Sequence, residues 1–427
     1  MKKLAIFLAA AAMARATFAV PSAAVTGLTV DPDSGEVVVA YSLTDGPAIV
    51  TAAFSADGVA VPERNATRLR GDVNKKVTGA SGEIRWDVLR DCPTLNVAAL
   101  GVTLTVWPCD NPPDYMAVDL RQANTVRYYV STNALPEGGL DNNLYRTSVI
   151  IMRKIPAAGV TWKIGSPSSE VGHAQRDVQY WVTFTQNYYM GVYELTQQQM
   201  QLIGGSNNGY FVNTASGPAL TNRFGEVLYT STATVPSAHT YAQIRGTKDQ
   251  ACWPEDGSTV GASSPLKYLR DLTGVQFDLP TDAQWEYACR AGTGTTYYSG
   301  ENATVTSGVE PVLEPLAWYN DNTADMLLGP RPVGLKQPNP WGLYDMIGNI
   351  FEWTLDWYHL TPYAAGSSQT DPVGPATADG DGKSRISRGG AWNQKPQLCR
   401  TAYRQNHTYN AGKNYTGSRL CCPVTAP

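Results

Sequence analysis

Histidine is scarce in this chain: only His173, His239, His359 and His407 occur in 427 residues. No Cys-x-x-Cys or His-x-x-x-His spacing is present, so the sequence offers no zinc-type ligand set. No histidine stands near a motif serine, which argues against a serine hydrolase. Charge is sparse as well. Charged residues make up 16%, with 33 Lys+Arg against 37 Asp+Glu and a formal net charge of -4. Without a basic excess there is no electrostatic footprint for nucleic acid or for an anionic membrane surface. Long helical patterns are missing. The apolar run at the start is too short to span a bilayer and is interrupted by Arg15, and no later segment approaches transmembrane length. Instead, 39 glycines, 28 prolines and 23 tyrosines point to short elements joined by many turns.

What is present begins with an export signal. Lys2 and Lys3 supply a positive start, Leu4 to Met13 an apolar stretch, and Thr17-Phe18-Ala19 a small-residue cleavage pattern. Residues 1–19 therefore read as a signal peptide, and the destination as secreted, periplasmic or cell-surface. Seven cysteines (Cys92, Cys109, Cys252, Cys289, Cys399, Cys421 and Cys422) fit an oxidising compartment, and the odd count leaves at least one without an intrachain partner.

Residues 25–120 alternate apolar and polar positions in short runs: Glu36–Leu43, Ala48–Phe54, Gly82–Val88 and Leu100–Val106. Turn clusters at Asp31-Pro32-Asp33-Ser34-Gly35 and Asp45-Gly46-Pro47 separate them. This spacing predicts a small all-β sandwich, more suited to spacing or docking than to catalysis. Cys92 and Cys109 flank its last strands and could close a disulfide loop. Residues 121–145 are polar and turn-rich, and read as a linker. A second domain spans 146–423, opening with the β-branched run Thr147-Ser148-Val149-Ile150-Ile151-Met152. Within it, Thr196 with Gln199 forms a capping box for a helix through Ile203. Thr281 with Gln284 does the same for Asp282–Ala291, with Gly292 as the stop and Cys289 facing the core.

Several stretches of this second domain resemble one family in order. They are Trp162-Lys163-Ile164-Gly165-Ser166-Pro167, Tyr189-Met190-Gly191-Val192-Tyr193-Glu194-Leu195-Thr196-Gln197 and Leu279-Pro280-Thr281-Asp282-Ala283-Gln284-Trp285-Glu286-Tyr287-Ala288-Cys289-Arg290-Ala291-Gly292-Thr293. Asn339-Pro340-Trp341-Gly342-Leu343-Tyr344-Asp345-Met346-Ile347-Gly348-Asn349-Ile350-Phe351-Glu352-Trp353 and Arg388-Gly389-Gly390-Ala391-Trp392 complete the set. On these motifs the domain resembles the formylglycine-generating enzyme (sulfatase-modifying factor) family. The resemblance implies a loop-rich α+β fold related to C-type lectins.

The Asp345–Glu352 loop has the ingredients of a hard-cation site, with two carboxylates bracketing a Gly-Asn pair that can turn carbonyls inward. The resemblance implies calcium on the Asp345 and Glu352 side chains and the Gly348 and Ile350 carbonyls. A second family calcium site would fall near Asn320–Thr323, but the motif cannot be matched there residue by residue.

The family's oxidase chemistry needs two cysteines five positions apart, whose soft thiolates bind copper(I). At that distance from the Arg-Gly-Gly motif this chain carries Gln394 and Cys399, and Ala391 replaces the family serine. Gln394 is no soft ligand, so a copper cofactor is doubtful. Cys399 is the one candidate catalytic residue. The resemblance more readily implies a disulfide between Cys289 and Cys399, because Arg400-Thr401-Ala402-Tyr403-Arg404 matches the family's Arg-x-Ala-x-Arg stretch in a shifted register. Cys252 would pair with Cys421 or Cys422. Gly417-Ser418-Arg419-Leu420 stands where the family has Gly-Phe-Arg.

Trp341, Trp353, Trp357, Tyr358 and Trp392 could offer stacking faces, but large aromatics at such positions more often build core. The expectation is an exported, calcium-stabilised, non-oxidase family member that binds a protein, peptide or glycan. The alternative is a formylglycine-generating oxidase acting on a cysteine in a Cys-x-Pro-x-Arg motif.

Overall fold

Strict alternation in Glu36–Thr44 puts Val37, Val39, Tyr41 and Leu43 on one face, and all four are buried. The computed structural model describes residues 20–31, 33–122, 126–205, 220–221, 227–229, 233–247, 259–323, 329–380 and 382–427. The expected signal segment and Cys252 lie outside the described residues. At the N-terminal end come β1 (Ser22–Val30), β2 (Glu36–Thr44), β3 (Ala48–Ala56), β4 (Val59–Ala60), β5 (Leu69–Gly71), β6 (Lys76–Val77) and β7 (Ser81–Asp87). The short helix α1 (Val88–Asp91) and β8 (Leu100–Pro108) follow. These strands form two antiparallel sheets, one ordered β1-β2-β7-β5 and one ordered β4-β3-β6 with β8 beside β3. Val37, Val39, Tyr41, Val50, Phe54, Ile84 and Trp86 fill the space between them. Trp86 packs on Phe54 with ring centroids 4.4 Å apart and donates its indole N–H to Asp91 at 2.9 Å.

This geometry removes one expected disulfide. Cys92 follows α1 at the end of β7, and Cys109 follows the far end of β8, a nine-residue strand. The two sulfurs rest on different backbone carbonyls, Cys92 on that of Asn65 (3.2 Å) and Cys109 on that of Pro47 (3.5 Å), instead of on each other. Both are free thiols.

Next in the chain are β9 (Tyr115–Asp119), β10 (Val126–Tyr129), α2 (Leu144–Thr147), β11 (Val149–Ile155), β12 (Thr161–Ile164), β13 (Tyr180–Thr183) and β14 (Tyr188–Gly191). α3 (Gln197–Leu202), β15 (Leu220–Thr221), β16 (Val227–Tyr229), α4 (Tyr241–Arg245), α5 (Pro265–Thr273), α6 (Asp282–Arg290) and α7 (Asn320–Thr323) come after them. β17 (Phe351–Trp357), β18 (Ser368–Thr370), β19 (Ser384–Arg388), β20 (Gln405–Thr408), β21 (Thr416–Gly417) and β22 (Cys421–Pro423) end the chain. The central sheet runs β10-β9-β11-β14-β22, and a second runs β20-β19-β17-β21. This is a sheet-rich mixed α/β chain with few helices. No helix among the described residues is long and apolar enough to cross a membrane.

The stretch read as a linker, 121–145, is not a spacer. Val126 and Tyr128 are buried, and β10 forms an edge of the central sheet, paired to β9. β9 itself pairs with β11, so residues 115–119 belong to this sheet rather than to the two preceding ones. Ile49 of β3 joins the same apolar cluster as Met116, Tyr128, Met152 and Trp353, so the two regions share core.

Both predicted capping boxes form. Gln199 and Gln284 N–H groups bond the Thr196 and Thr281 hydroxyls at 3.3 and 3.2 Å. The stop of α6 falls one residue early, on Ala291, which takes the left-handed cap at φ 46° ahead of Gly292. A side chain there costs about 1 kcal/mol relative to glycine. All nine residues of α6 are buried, so its charged side chains must find partners inside.

Candidate functional site

Asp282, Glu286 and Arg290 of α6 meet the arginines of the C-terminal strands in a buried network. The Arg388 guanidinium, on β19, donates to Asp282 (2.6 Å) and to Glu286. It also donates to the Thr401 and Tyr403 carbonyls. Arg404 donates to the other Asp282 oxygen at 2.9 Å. Glu286 further accepts the Gly165 amide and the Arg290 guanidinium, both at 2.8 Å. Opposite charges therefore hold Asp282 below the usual carboxylate range against the opposing effect of burial. Asp356 accepts the Asp282 amide at 2.7 Å and, mainly through burial and then the Asp282 charge, is pushed up to about 7.

The Asp345–Glu352 loop packs beside this network. Asp345, Gly348 and Asn349 take left-handed φ values of 54°, 79° and 56°. A Cβ on Gly348 would lie 2.5 Å from the Trp318 carbonyl oxygen, so only glycine fits the close approach. Glu194 ties the loop down, accepting from the Asn349 side-chain amide (2.6 Å) and the Ile350 backbone N–H (3.2 Å). Three buried carboxylates, Glu194, Asp345 and Glu352, thus gather around the Arg419 guanidinium, with Arg146 also acting on Asp345. Burial raises all three, and Asp345 is pushed up to about 6.

The donors fit a hard cation in part. One Asp345 oxygen accepts the Gly334 amide at 2.6 Å, while Asp345 Oδ1 is buried without a partner. An orphaned anionic oxygen beside a turned loop is the donor calcium needs. Glu352 is committed elsewhere: Arg419 clamps it at 2.7 and 3.0 Å, and the Trp285 indole N–H reaches it at 2.6 Å. Among the described residues no group of three or more His, Cys, Asp or Glu side chains is placed to hold a metal ion. Sequence reading passed over Glu194 and Arg419 as members of this cluster. The one available signal was an acid set between an aromatic and an apolar residue, in Tyr193-Glu194-Leu195.

The Arg-Gly-Gly turn contacts the loop from the other side. The Gly348 amide donates to the Gly389 carbonyl at 2.7 Å, and the Trp392 amide to the Asn349 carbonyl at 2.8 Å. Cys399 is 0% exposed. Its sulfur faces the backbone amides of Ala391 and Gly348, yet burial outweighs them and pushes the thiol up to about 12. A Cβ on Gly390 would lie 2.5 Å from that sulfur. Cys289 belongs to the same apolar cluster, with its thiol 3.9 Å from the Met346 carbonyl. The expected Cys289–Cys399 disulfide is not formed, since both are free thiols resting on backbone groups. Cys421 and Cys422 are free as well. Adjacent on β22, they point to opposite faces of the sheet, each into a different apolar cluster. Gln394 sits in a turn whose carbonyl accepts the Asn320 amide of α7 at 2.9 Å, and its side chain bonds Asn393.

The fold brings histidines to serines in a way the sequence did not show. His173 meets Ser166 (3.0 Å), His239 meets Ser237 (3.3 Å) and Ser418 (2.9 Å), and His407 meets Ser387 (2.7 Å). Burial pulls His239 and His407 down to about 4, so both are neutral, and no carboxylate bonds these three imidazoles among the described residues. They are satisfied polar pairs, lacking the orienting acid of a triad. His359 pairs with Asp379 at 2.7 Å near the surface. Of the aromatic candidates, Trp353, Trp357 and Trp392 are buried, while Trp341 and Tyr358 are half-buried.

Comparison with known proteins agrees with the motifs. Residues 168–423 match the model of the sulfatase-modifying factor enzyme 1-like domain. The chain belongs to this family. Formylglycine-generating enzymes are similar over about a third of the chain. The one from Mus musculus is 31% identical over 153 residues, which are 33% of this chain and 38% of that protein. The one from Streptomyces coelicolor is 36% identical over 146 residues, 33% of this chain and 45% of that protein. The serine/threonine-protein kinase pkn1 of Chlamydia pneumoniae is 32% identical over 142 residues, 33% of this chain and 20% of that protein. The chain thus spans less than half the length of these relatives. Among solved structures, Treponema denticola variable protein 1 has a TM-score of 0.47 at 23% identity, covering 64% of this chain and 95% of that one. PvdO from Pseudomonas aeruginosa has a TM-score of 0.46 at 20% identity, covering 64% and 94%.

Proposed function

We propose that this chain is a non-oxidase member of the sulfatase-modifying factor family, exported, with a calcium-stabilised domain that binds or scaffolds a protein, peptide or glycan. What supports the reading is the segment after the Arg-Gly-Gly turn, where the resemblance would place the copper ligands. Counted from that turn, one position is Gln394, and the only cysteine there, Cys399, is a fully buried thiol pushed up to about 12. Copper(I) in this family's chemistry needs two thiolates open to a substrate, and one buried, protonated thiol does not supply them.

On this reading the turn that would carry chemistry serves as structure. The Asp345–Glu352 loop, the Arg-Gly-Gly turn and α6 lock together through Arg388 and Arg419, and Cys399 fills the space beneath Gly390. Asp345, with the Gly348 and Ile350 carbonyls, would hold calcium, which would neutralise the excess of carboxylate charge around Arg419. Glu352 would stay the partner of Arg419. We read the fold as related to C-type lectins, and the two N-terminal sheets as a sandwich that displays the family domain.

That about a third of the chain resembles proteins named formylglycine-generating enzyme favours the alternative, an oxidase acting on Cys-x-Pro-x-Arg motifs. Copper(I) titration of the folded chain against a chromogenic chelator separates the two readings. The non-oxidase reading expects no stoichiometric site. One copper bound per chain, lost on Cys399→Ser, would support the oxidase.

A further inference from the structure

A cleft of about 300 Å³ opens where the N-terminal sheets meet the central sheet. Its walls are two edge strands. β5 ends the β1-β2-β7-β5 sheet, and β10 ends the central sheet. The β10 wall is anchored to the N-terminal unit by the Tyr128 amide, which donates to the Asn74 carbonyl at 2.7 Å. Four arginines line the cleft, Arg68, Arg70, Arg90 and Arg127, against two acids, Asp87 and Glu137. In a chain with a formal net charge of -4, that is a local reversal of sign.

The four cations are not equally occupied. Arg68 pairs with Asp91 at 3.3 Å, Arg70 with Glu36 at 2.5 Å, and Arg90 with Asp87 at 3.9 Å. The side chains of these three arginines are 40%, 64% and 74% exposed, and exposed pairs of this kind are worth only about 0–1 kcal/mol. They can turn toward a ligand at little cost. Arg127 has no carboxylate partner among the described residues, and its guanidinium donates only to the Val126 carbonyl at 3.2 Å. An unpaired guanidinium presents a planar fork of donors suited to carboxylate, sulfate or phosphate groups. Clefts at the junction of two units are common ligand sites, and this volume is at the small-molecule end of their range.

We propose that this cleft binds a small polyanion carrying two or more carboxylate, sulfate or phosphate groups, held by Arg127 from the edge of the central sheet and by Arg68, Arg70 and Arg90 from the N-terminal sheets. The ligand bridges the two units and couples their packing to its presence. The proposal is independent of whether the family domain is an oxidase.

Calorimetric titration of the full chain at low salt, with citrate, inorganic sulfate, inorganic phosphate and neutral glucose as probes, tests it. Saturable binding of citrate alone identifies a carboxylate ligand, and preference for sulfate or phosphate identifies an ester. Glucose gives no heat. Arg127→Ala weakens the binding by about tenfold or more, as expected for losing charge-assisted hydrogen bonds. It leaves thermal stability unchanged, because Arg127 holds no ion pair. Absence of saturable binding for every anion overturns the proposal. So does equal weakening by Lys395→Ala, an exposed cation outside the cleft, which would show ionic-strength binding alone.

Discussion

Alkylation of the cysteines in the folded chain is a demanding probe of the Gly390–Cys399 contact. At pH 8, moving a thiol from 9.0 to about 12 lowers its thiolate fraction by about a thousandfold, because each pKa unit is a factor of ten. Burial adds to this, since Cys399 is 0% exposed and beneath the Arg-Gly-Gly turn. Iodoacetamide labelling followed by peptide mapping, with and without denaturant, reads each site separately. Among the described cysteines Cys92 and Cys109, both half-buried, react first in the folded chain. Cys289, Cys399, Cys421 and Cys422 react only once it unfolds. Native labelling of Cys399 as fast as Cys109 would refute the reasoning and restore a reactive thiol. A Cys289–Cys399 crosslink in an unreduced map would refute it from the other direction.

Other consequences follow from the buried charges. Asp356 has a folded-state pKa of about 7 against 3.8 in the unfolded chain, so the folded state holds the extra proton between those values. Its contribution to stability is therefore fully present below about pH 4 and is lost as pH rises through 7, an effect of up to about 4 kcal/mol. Asp356→Asn should flatten that part of the stability–pH curve, measured by urea unfolding between pH 5 and 8; an unchanged slope contradicts the assignment. Arg388→Ala strands Asp282 and Glu286 without their shared partner and should cost about 3–5 kcal/mol, read as a drop in the unfolding midpoint. A loss under 1 kcal/mol would show the network to be dispensable. Removing calcium with a chelator should lower the melting temperature of the full chain, and Asp345→Ala should abolish that response. A melting temperature indifferent to chelator and to added calcium removes the metal from the account.

Much of the fold was legible in the sequence because its signals are local. Alternation located β2, β3, β7 and β8 to within two residues, and two Thr…Gln capping boxes located α3 and α6. The family motifs marked the turns that position Asp345, Gly348 and Gly390. What failed was tertiary. Glycine- and asparagine-rich composition around Pro136–Asn143 suggested a linker, yet the four residues Val126–Tyr129 were enough to add an edge strand and tie two regions into one core. Cysteine spacing suggested Cys92–Cys109, but spacing does not reveal that each thiol rests on a different backbone carbonyl. The pairing of Glu352 with Arg419 joins residues 67 positions apart, which no local pattern reports. The four arginines of the cleft likewise come from three separate segments.

The most direct test of the central claim is turnover. The full chain, reduced and loaded with copper(I) under oxygen, is incubated with a peptide carrying Cys-x-Pro-x-Arg, and the peptide is analysed by mass spectrometry with an authentic formylglycine-generating enzyme as positive control. On the proposed non-oxidase reading, with Cys399 buried, the cysteine remains unconverted while the control produces aldehyde. Aldehyde formed by this chain at a rate that tracks its own concentration would contradict the account.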